Sequence, residues 1–245
     1  MDRAVLREDM VDGLRHRRAS LLSEAAVASA MGSVPRHDFF DDDRTAYADR
    51  ETERLGTRVL APSTVARLFD ALAPEPDDSV LIVGAGIGYT AAFAAEIVGP
   101  ERVHAVDITR RVVYEARENL ATAGYDAVLV DCRDGSEGLP EYAPYDRILL
   151  EAAAVNPPRA LLDQLAPDGR LVMPLGTGDQ TLVTVEDGDV TERHGGVAFA
   201  PLLVEGEQSG AVERNRTHRE DRERAQQAAQ SRTGWEQDWI DWDGY

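Results

Sequence analysis

Residues 80–88 have the sequence Val80-Leu81-Ile82-Val83-Gly84-Ala85-Gly86-Ile87-Gly88, an apolar run followed by a glycine-rich turn. An alanine-rich stretch continues to about Val98, so the segment predicts a strand, a tight turn and a helix. Small residues in such a turn let a ligand approach the backbone, and the helix N-terminus offers free N–H groups. Tight packing alone is the alternative explanation. The turn therefore predicts ligand contacts at Gly84, Ala85, Gly86 and Gly88.

Strand and helix signals alternate over the following hundred residues. Apolar runs separated by helical periodicity predict an α/β fold with a mostly parallel sheet and helices on both of its faces. Two more runs flank the turn Asp187-Gly188-Asp189 and predict an antiparallel hairpin at one edge, which completes a seven-stranded sheet. The predicted strands are Ser79–Val83, Arg102–Val106, Ala127–Val130, Tyr145–Glu151, Arg170–Pro174, Gln180–Val185 and Gly196–Leu203, and the predicted helices after the turn include Arg110–Ala123 and Pro158–Leu165.

The segments on either side of this core differ from it in composition. Residues 1–31 have apolar positions at helical spacing, which predicts one or two helices, whereas residues 36–62 are polar and irregular. Ser63 is the predicted N-cap of the next helix. Residues 213–232 are so rich in charge that they predict a solvated helix or a disordered segment. We divide the chain into N-terminal helices with a loop (1–62), a ligand-binding domain (63–204) and a charged extension (205–245).

Two carboxylates follow strands at the predicted ligand edge of the sheet. Asp107 ends the second strand, where a carboxylate can accept both ribose hydroxyls of a nucleotide-like ligand. Its alternative role is to cap the next helix, although Thr109 is also placed for that. Asp134 follows the third strand, and its carboxylate has two candidate roles: accepting from an adenine amino group, or closing an Asp-Gly turn with Gly135.

Several segments of the chain share the pattern of one known family. Residues 80–89 and 103–107 fit this pattern, although the glycine turn itself is widely shared; the runs at 143–148 and 165–176 are more specific than that turn. Together with Val34-Pro35-Arg36, Tyr47-Ala48-Asp49, Asp134-Gly135-Ser136-Glu137-Gly138 and Phe199-Ala200-Pro201-Leu202, they closely resemble the protein-L-isoaspartate O-methyltransferases. The resemblance covers about residues 30–204.

This resemblance implies a Rossmann-like class I methyltransferase fold with S-adenosyl-L-methionine as the cofactor. The implied substrates are damaged proteins or peptides, in which a carboxylate exposed by isoaspartyl or D-aspartyl formation is methylated. Such a carboxylate is already ionised, so alignment and desolvation supply most of the rate and no acid–base pair is required. The implied cofactor contacts are Gly84, Ala85, Gly86, Gly88, Asp107, Ile108, Asp134 and Gly135.

The chain departs from the family pattern in the loop that would meet the substrate. The family sequence is approximately Gly-Gln-Thr-Ile-Ser-x-Pro, whereas residues 56–62 here are Gly56-Thr57-Arg58-Val59-Leu60-Ala61-Pro62. Leu60 thus stands where the family has a serine beside the reacting methyl group, and Arg58 where it has a threonine. In addition, Ile82 replaces an acidic residue of the first strand, and Arg133 a glycine. The candidate catalytic residues are Thr57, Leu60 and Ser63.

Composition limits the remaining possibilities. The formal net charge is −19 and all 26 basic residues are arginine, which disfavours nucleic-acid binding because that requires a basic face. The acidity favours a halophilic source, with an acidic protein from a GC-rich genome as the alternative. The chain has a single cysteine, no close spacing of histidines for a metal and no apolar run for a membrane, so we expect a soluble cytoplasmic protein without a metal site.

Three functions remain open on the sequence. The first is isoaspartyl methyltransferase activity, and the second is methylation of a different acceptor by the same fold. The third is a non-catalytic binding or adaptor protein that uses its C-terminal tail for a partner. The tail contains Trp235, Trp239 and Trp242, which would share one face of a helix and either dock onto the body or bind another protein.

Overall fold

The computed structural model describes residues 2–16, 25–203, 208–210 and 213–216. A two-stranded hairpin in the N-terminal part precedes a seven-stranded sheet, and a second small hairpin follows it. The strands are β1 (Thr52–Arg54), β2 (Thr57–Val59), β3 (Val80–Val83), β4 (Val103–Asp107), β5 (Leu129–Cys132), β6 (Tyr145–Leu150), β7 (Leu165–Leu175), β8 (Gln180–Glu186), β9 (Asp189–Val197), β10 (Gln208–Gly210) and β11 (Glu213–Arg216).

The order of strands in the large sheet is β5-β4-β3-β6-β7-β8-β9. The first five strands in this order are parallel, and β8 and β9 pair antiparallel at one edge. The predicted α/β fold with a seven-stranded, mostly parallel sheet and an antiparallel edge is therefore confirmed. The order reverses direction at β3, between β4 and β6, and open α/β sheets bind their ligands at such a switch point.

The helices lie on both faces of the sheet, as the burial of β3 shows. All four residues of β3 are buried, and their side chains alternate between two apolar clusters, Val80 and Ile82 in one and Leu81 and Val83 in the other. The helices are α1 (Arg3–Arg15), α2 (Ala25–Ser33), α3 (Asp43–Tyr47), α4 (Pro62–Leu72), α5 (Tyr89–Val98), α6 (Arg110–Thr122) and α7 (Arg159–Leu162).

The last strand of the antiparallel edge begins earlier than the sequence indicates. We predicted the last strand at Gly196–Leu203, but β9 starts directly after the two-residue turn Asp187-Gly188, where both residues have positive φ (52° and 83°). This geometry suits a tight hairpin, so pairing with β8 resumes at once. Past Val197 the chain leaves the sheet, and the Gln180 side chain accepts from the Phe199 N–H and donates to the Phe199 carbonyl.

The segment 36–62 is more ordered than its polarity suggests. It contains a 3₁₀ turn at Arg36–Phe39, then α3, then the β1–β2 hairpin. The Asp42 carboxylate accepts from the Thr45 N–H at 2.7 Å and starts α3. The predicted N-cap at Ser63 is wrong: Ala61 is the N-cap of α4, Pro62 occupies its first turn, and the Ser63 N–H donates to Asp49.

Other predicted boundaries move by a few residues. The strand placed at Ala127–Val130 is β5, the strand placed at Arg170–Pro174 extends over β7, and the helix placed at Pro158–Leu165 shortens to α7. Glu213–Arg216 forms a strand with β10, where we predicted helix or disorder. The three tryptophans lie outside the described residues, and the proposed division at 62 and 204 stays a prediction.

Gly88 provides a stability test of the turn. It has φ of +91°, and a Cβ there would lie 3.1 Å from the Ala116 carbonyl oxygen and 3.2 Å from Leu120 Cγ, both in α6. We expect Gly88→Ala to lower the free energy of unfolding, through about 1–2 kcal/mol of backbone strain and about 1–3 kcal/mol of overpacking. Gly124→Ala is the matched control, since Gly124 has φ of +86° but no neighbour within 4 Å. Urea unfolding in high salt measures the free energy of unfolding of both variants. An equal loss in the two would contradict the close packing of Gly88 against α6.

Candidate active site

A cleft of about 190 Å³ lies at the carboxyl ends of the central strands, where the strand order reverses. The hairpin β1–β2 and the residues just after it form one side of this cleft. Gly84 of the glycine turn, the ends of β4 and β6 and the segment after β9 complete its lining. The lining segments are 55–58 with Leu60, 83–84, 106–109 with Val112, Gly135, 151–152 and 199–203.

The three glycines of the turn meet three different neighbours. Gly84, with φ of +91°, lies against Glu151, so that a Cβ there would be 3.4 Å from Glu151 Cβ. Gly86, with φ of +51°, is opposite the Thr57 hydroxyl of the hairpin, whereas Gly88 lies against α6. The Gly84 and Ala85 N–H groups both donate to the Val106 carbonyl at 2.9 Å. Of the four contacts predicted in this turn, Gly84 lines the cleft, whereas Ala85, Gly86 and Gly88 do not.

Asp107 sits at the end of β4 and faces the cleft. One carboxylate oxygen accepts from the Gly86 N–H at 3.1 Å and the other from the Thr109 N–H at 2.8 Å. Burial raises the pKa of this carboxyl, and the same backbone hydrogen bonds oppose that rise. A carboxylate has about four acceptor positions; the Thr109 hydroxyl takes a third of them, which leaves one for a ligand hydroxyl. The Thr109 side chain makes no capping hydrogen bond to α6, although Thr109 is the N-cap residue.

Asp134 and Gly135 have separate roles at the end of β5. The Asp134 carboxylate accepts from both the N–H and the hydroxyl of Ser136, at 2.8 and 2.7 Å, and so starts a short 3₁₀ turn. This geometry favours the turn-forming alternative for Asp134, which is not part of the cleft lining. Gly135 does line the cleft, and a Cβ there would lie 2.5 Å from Val83 Cγ1, so only glycine fits. Ile108 is also part of the lining.

The hairpin brings two of the three candidate catalytic residues to the cleft. Thr57 and Leu60 line it, and Leu60 is 6% exposed, while Ser63 lies outside the lining on α4. Arg58 also lines the cleft; it donates to the Ala198 carbonyl and forms an ion pair with Glu51 at 3.5 Å. Arg58 therefore ties the hairpin to the segment after β9 and keeps a positive charge at the cleft.

A model of the family described as Protein-L-isoaspartate(D-aspartate) O-methyltransferase (PCMT) matches residues 6–208. The chain belongs to this family. The protein-L-isoaspartate O-methyltransferase of Aeropyrum pernix is 44% identical over 206 residues, which cover 80% of this chain and 78% of that protein. The one of Methanopyrus kandleri is 43% identical over 209 residues, or 81% and 92% of the two chains.

A solved structure confirms the fold. A Plasmodium falciparum protein-L-isoaspartate O-methyltransferase, solved in complex with S-adenosyl-L-homocysteine, has a TM-score of 0.70 at 21% identity. The similarity covers 80% of this chain and 98% of that one. The chain is thus a class I methyltransferase of the protein-L-isoaspartate family, whose methyl donor is S-adenosylmethionine.

The residues of the cleft fit this methyl donor. Asp107 keeps an acceptor position for a ribose hydroxyl, and Gly84 of the glycine turn lines the cleft without a side chain. Among the described residues, no group of three or more His, Cys, Asp or Glu side chains could hold a metal ion. Within those same residues, no helix is long and apolar enough to cross a membrane.

Arg36 contacts the backbone of a cleft residue, a role that the sequence did not predict. Its guanidinium is buried between the rings of Phe40 and Tyr89, at 4.8 and 4.2 Å from their centroids. It donates to the Ala46 carbonyl at 2.7 Å and to the Leu60 carbonyl at 2.5 Å. Burial lowers the pKa of Arg36. The Val34-Pro35-Arg36 signature was the available signal, and the structure shows that its arginine fixes the position of the Leu60 backbone.

Glu151 is the second residue that sequence reasoning missed. We placed it at the end of a predicted strand and assigned it no role, yet it lines the cleft beside Gly84. Burial raises its pKa to about 8, and the nearby Asp107 adds to this effect, while a hydrogen bond from the Thr90 hydroxyl opposes it. A carboxyl with so strongly shifted a pKa in a cleft is a candidate functional group.

We expect Asp107→Ala to weaken binding of S-adenosylhomocysteine at least tenfold. The variant loses a charged hydrogen bond to the ribose, worth about 1.5–3 kcal/mol. Asp131→Ala removes the same charge from β5, where the carboxylate pairs with Arg133 at 3.3 Å outside the cleft, and should leave affinity unchanged. Calorimetric titration of both folded variants is the measurement. Wild-type affinity in Asp107→Ala would rule out the ribose contact.

Proposed function

We propose that this chain transfers a methyl group from S-adenosylmethionine to the carboxylate of isoaspartyl or D-aspartyl residues in damaged proteins. One observation supports this above all: a single cleft is lined both by Gly84 and Asp107 and by the family's substrate-loop positions Thr57 and Leu60. Relatives that are 43–44% identical have the name protein-L-isoaspartate O-methyltransferase and match most of the chain.

The chain's own residues supply positioning rather than acid–base chemistry. When bound, S-adenosylmethionine would supply a methyl group carried on a sulfonium. The sulfur would leave as a neutral thioether, so no proton has to be transferred. The Thr57 hydroxyl can donate to the acceptor carboxylate, and the Arg58 guanidinium attracts that anion to the cleft. Leu60 excludes water beside the acceptor, which strengthens these interactions. Ser63, away from the cleft lining, keeps no direct role in this proposal.

A changed acceptor is the second candidate function. Leu60 favours it, because a buried leucine side chain offers no hydrogen bond to a carboxylate where the family has a serine. The Leu60 backbone is nevertheless held in place by Arg36, so the loop keeps a defined position. The cytoplasmic location, the halophilic source and a partner for the tryptophan-containing tail stay predictions from the sequence.

We expect the wild-type chain to methylate an isoaspartyl peptide and not its aspartyl twin in high salt. Leu60→Ser should preserve or raise this activity, because it restores a hydroxyl beside the acceptor. Leu60→Ala is the control, since it opens the same space without a hydroxyl and should not give the gain. The measurement is labelled methyl ester formation at saturating cofactor. A wild-type chain that binds cofactor tightly but leaves the isoaspartyl peptide unmethylated would favour the changed acceptor.

A further inference from the structure

Glu151 occupies a position that the backbone fixes closely. It follows β6 directly, and its N–H donates to the Val83 carbonyl of β3 at 2.8 Å. A Cβ on Gly84 would lie 3.4 Å from the Glu151 Cβ. Glu151 therefore packs closely against the glycine turn at Gly84. The carboxyl group is therefore held at the point where the turn opens onto the cleft.

The Glu151 carboxyl lacks a compensating charge. Although the residue keeps partial exposure at the cleft, its Oε1 is shielded from solvent and has no hydrogen-bond partner. The Thr90 hydroxyl, at the start of α5, donates to the carboxylate. Within the described part of the chain no arginine or histidine forms an ion pair with it. A buried acceptor without a donor is costly, which indicates that a ligand group supplies the missing partner.

The chemistry of the ligand identifies that group. The amino acid part of S-adenosylmethionine carries an ammonium with three N–H donors, a strongly hydrated cation that needs acceptors when it leaves water. Asp107 lies on the next strand, β4, and its remaining acceptor position suits a ribose hydroxyl. The Glu151 carboxyl, beside Gly84, is then left for the amino acid part of the cofactor.

We propose that Glu151 binds the α-ammonium group of the methionine part of S-adenosylmethionine. Its Oε1 accepts one N–H of the ammonium, and the charge pair stabilises Glu151 in its ionised form. The assignment rests on the family's use of this cofactor and is independent of which carboxylate receives the methyl group. A failure to methylate isoaspartyl peptides would therefore leave it intact, because its test needs no methyl acceptor.

The pairing changes the protonation of the cleft. With a pKa of about 8, the free Glu151 carboxyl is mostly protonated at pH 7, and pairing with an ammonium lowers that pKa, so binding releases a proton. The groups acting on Glu151 from the elements around it are Asp107, from β4, and Thr90, from α5; the Gly84 turn brings no charge. Glu151 must lose its proton before it pairs with the ammonium. The affinity for S-adenosylhomocysteine should therefore rise between pH 6 and pH 7.5, by up to tenfold per pH unit.

Two ligands separate the ammonium from the rest of the cofactor. S-adenosylhomocysteine has the ammonium, whereas 5′-methylthioadenosine has the same adenosine and thioether without the amino acid part. We expect Glu151→Gln to weaken S-adenosylhomocysteine binding at least tenfold and to leave 5′-methylthioadenosine binding within twofold. Calorimetric titration at pH 7 in high salt measures both. Unchanged affinity for S-adenosylhomocysteine, or an equal loss for the two ligands, would overturn the proposal; the second result would show a purely structural role.

The wild-type chain gives an independent test that needs no variant. Titration in two buffers of different ionisation enthalpy reports the protons exchanged on binding. S-adenosylhomocysteine should release close to one proton per site at pH 7, and 5′-methylthioadenosine should release far less. Since both ligands contact Asp107 through the ribose, any proton that Asp107 exchanges cancels in the comparison. Equal release for the two ligands would overturn the assignment of Glu151.

Discussion

The pairing of Val83 with two strands at once governs the site. Val83 is in register with Val106 on one side and with Leu150 on the other, both in parallel. Parallel strands end at the same edge, so the residues that follow these three enter one cleft. The two N–H groups that donate to the Val106 carbonyl fix the turn against β4. The residues brought together in this way are Gly84, Asp107 and Glu151.

The segments that line the cleft bring both acidic and basic side chains to it. The ends of β4 and β6 contribute the carboxyl groups of Asp107 and Glu151. The hairpin contributes Arg58, which forms an ion pair with Glu51. A chain with a net charge of −19 thus places one arginine, Arg58, in the cleft lining and buries another, Arg36, against the carbonyl of Leu60.

Local patterns sufficed for most of the sheet. The buried run at 80–83 and the glycines after it predicted β3 and its turn, because a short β-branched run bounded by glycine is typical of a strand. The last strand was misplaced, since β9 starts immediately after the turn at Asp187-Gly188 and ends at Val197. Ser63 was misplaced as a cap, because Pro62 fills the first helical turn and Asp49 takes the Ser63 N–H.

The sequence by itself determined the fold class, the glycine turn and the position of Asp107, because each depends on residues close together in the chain. Only the tertiary structure decided which of the candidate residues share the cleft. Thr57 and Leu60 line it, Ser63 does not, and Asp134 accepts from Ser136 outside it. The environment of Glu151 depends on strand register, since a carboxyl at the end of one strand acquires its neighbours, and its raised pKa, from the adjoining strand and helix.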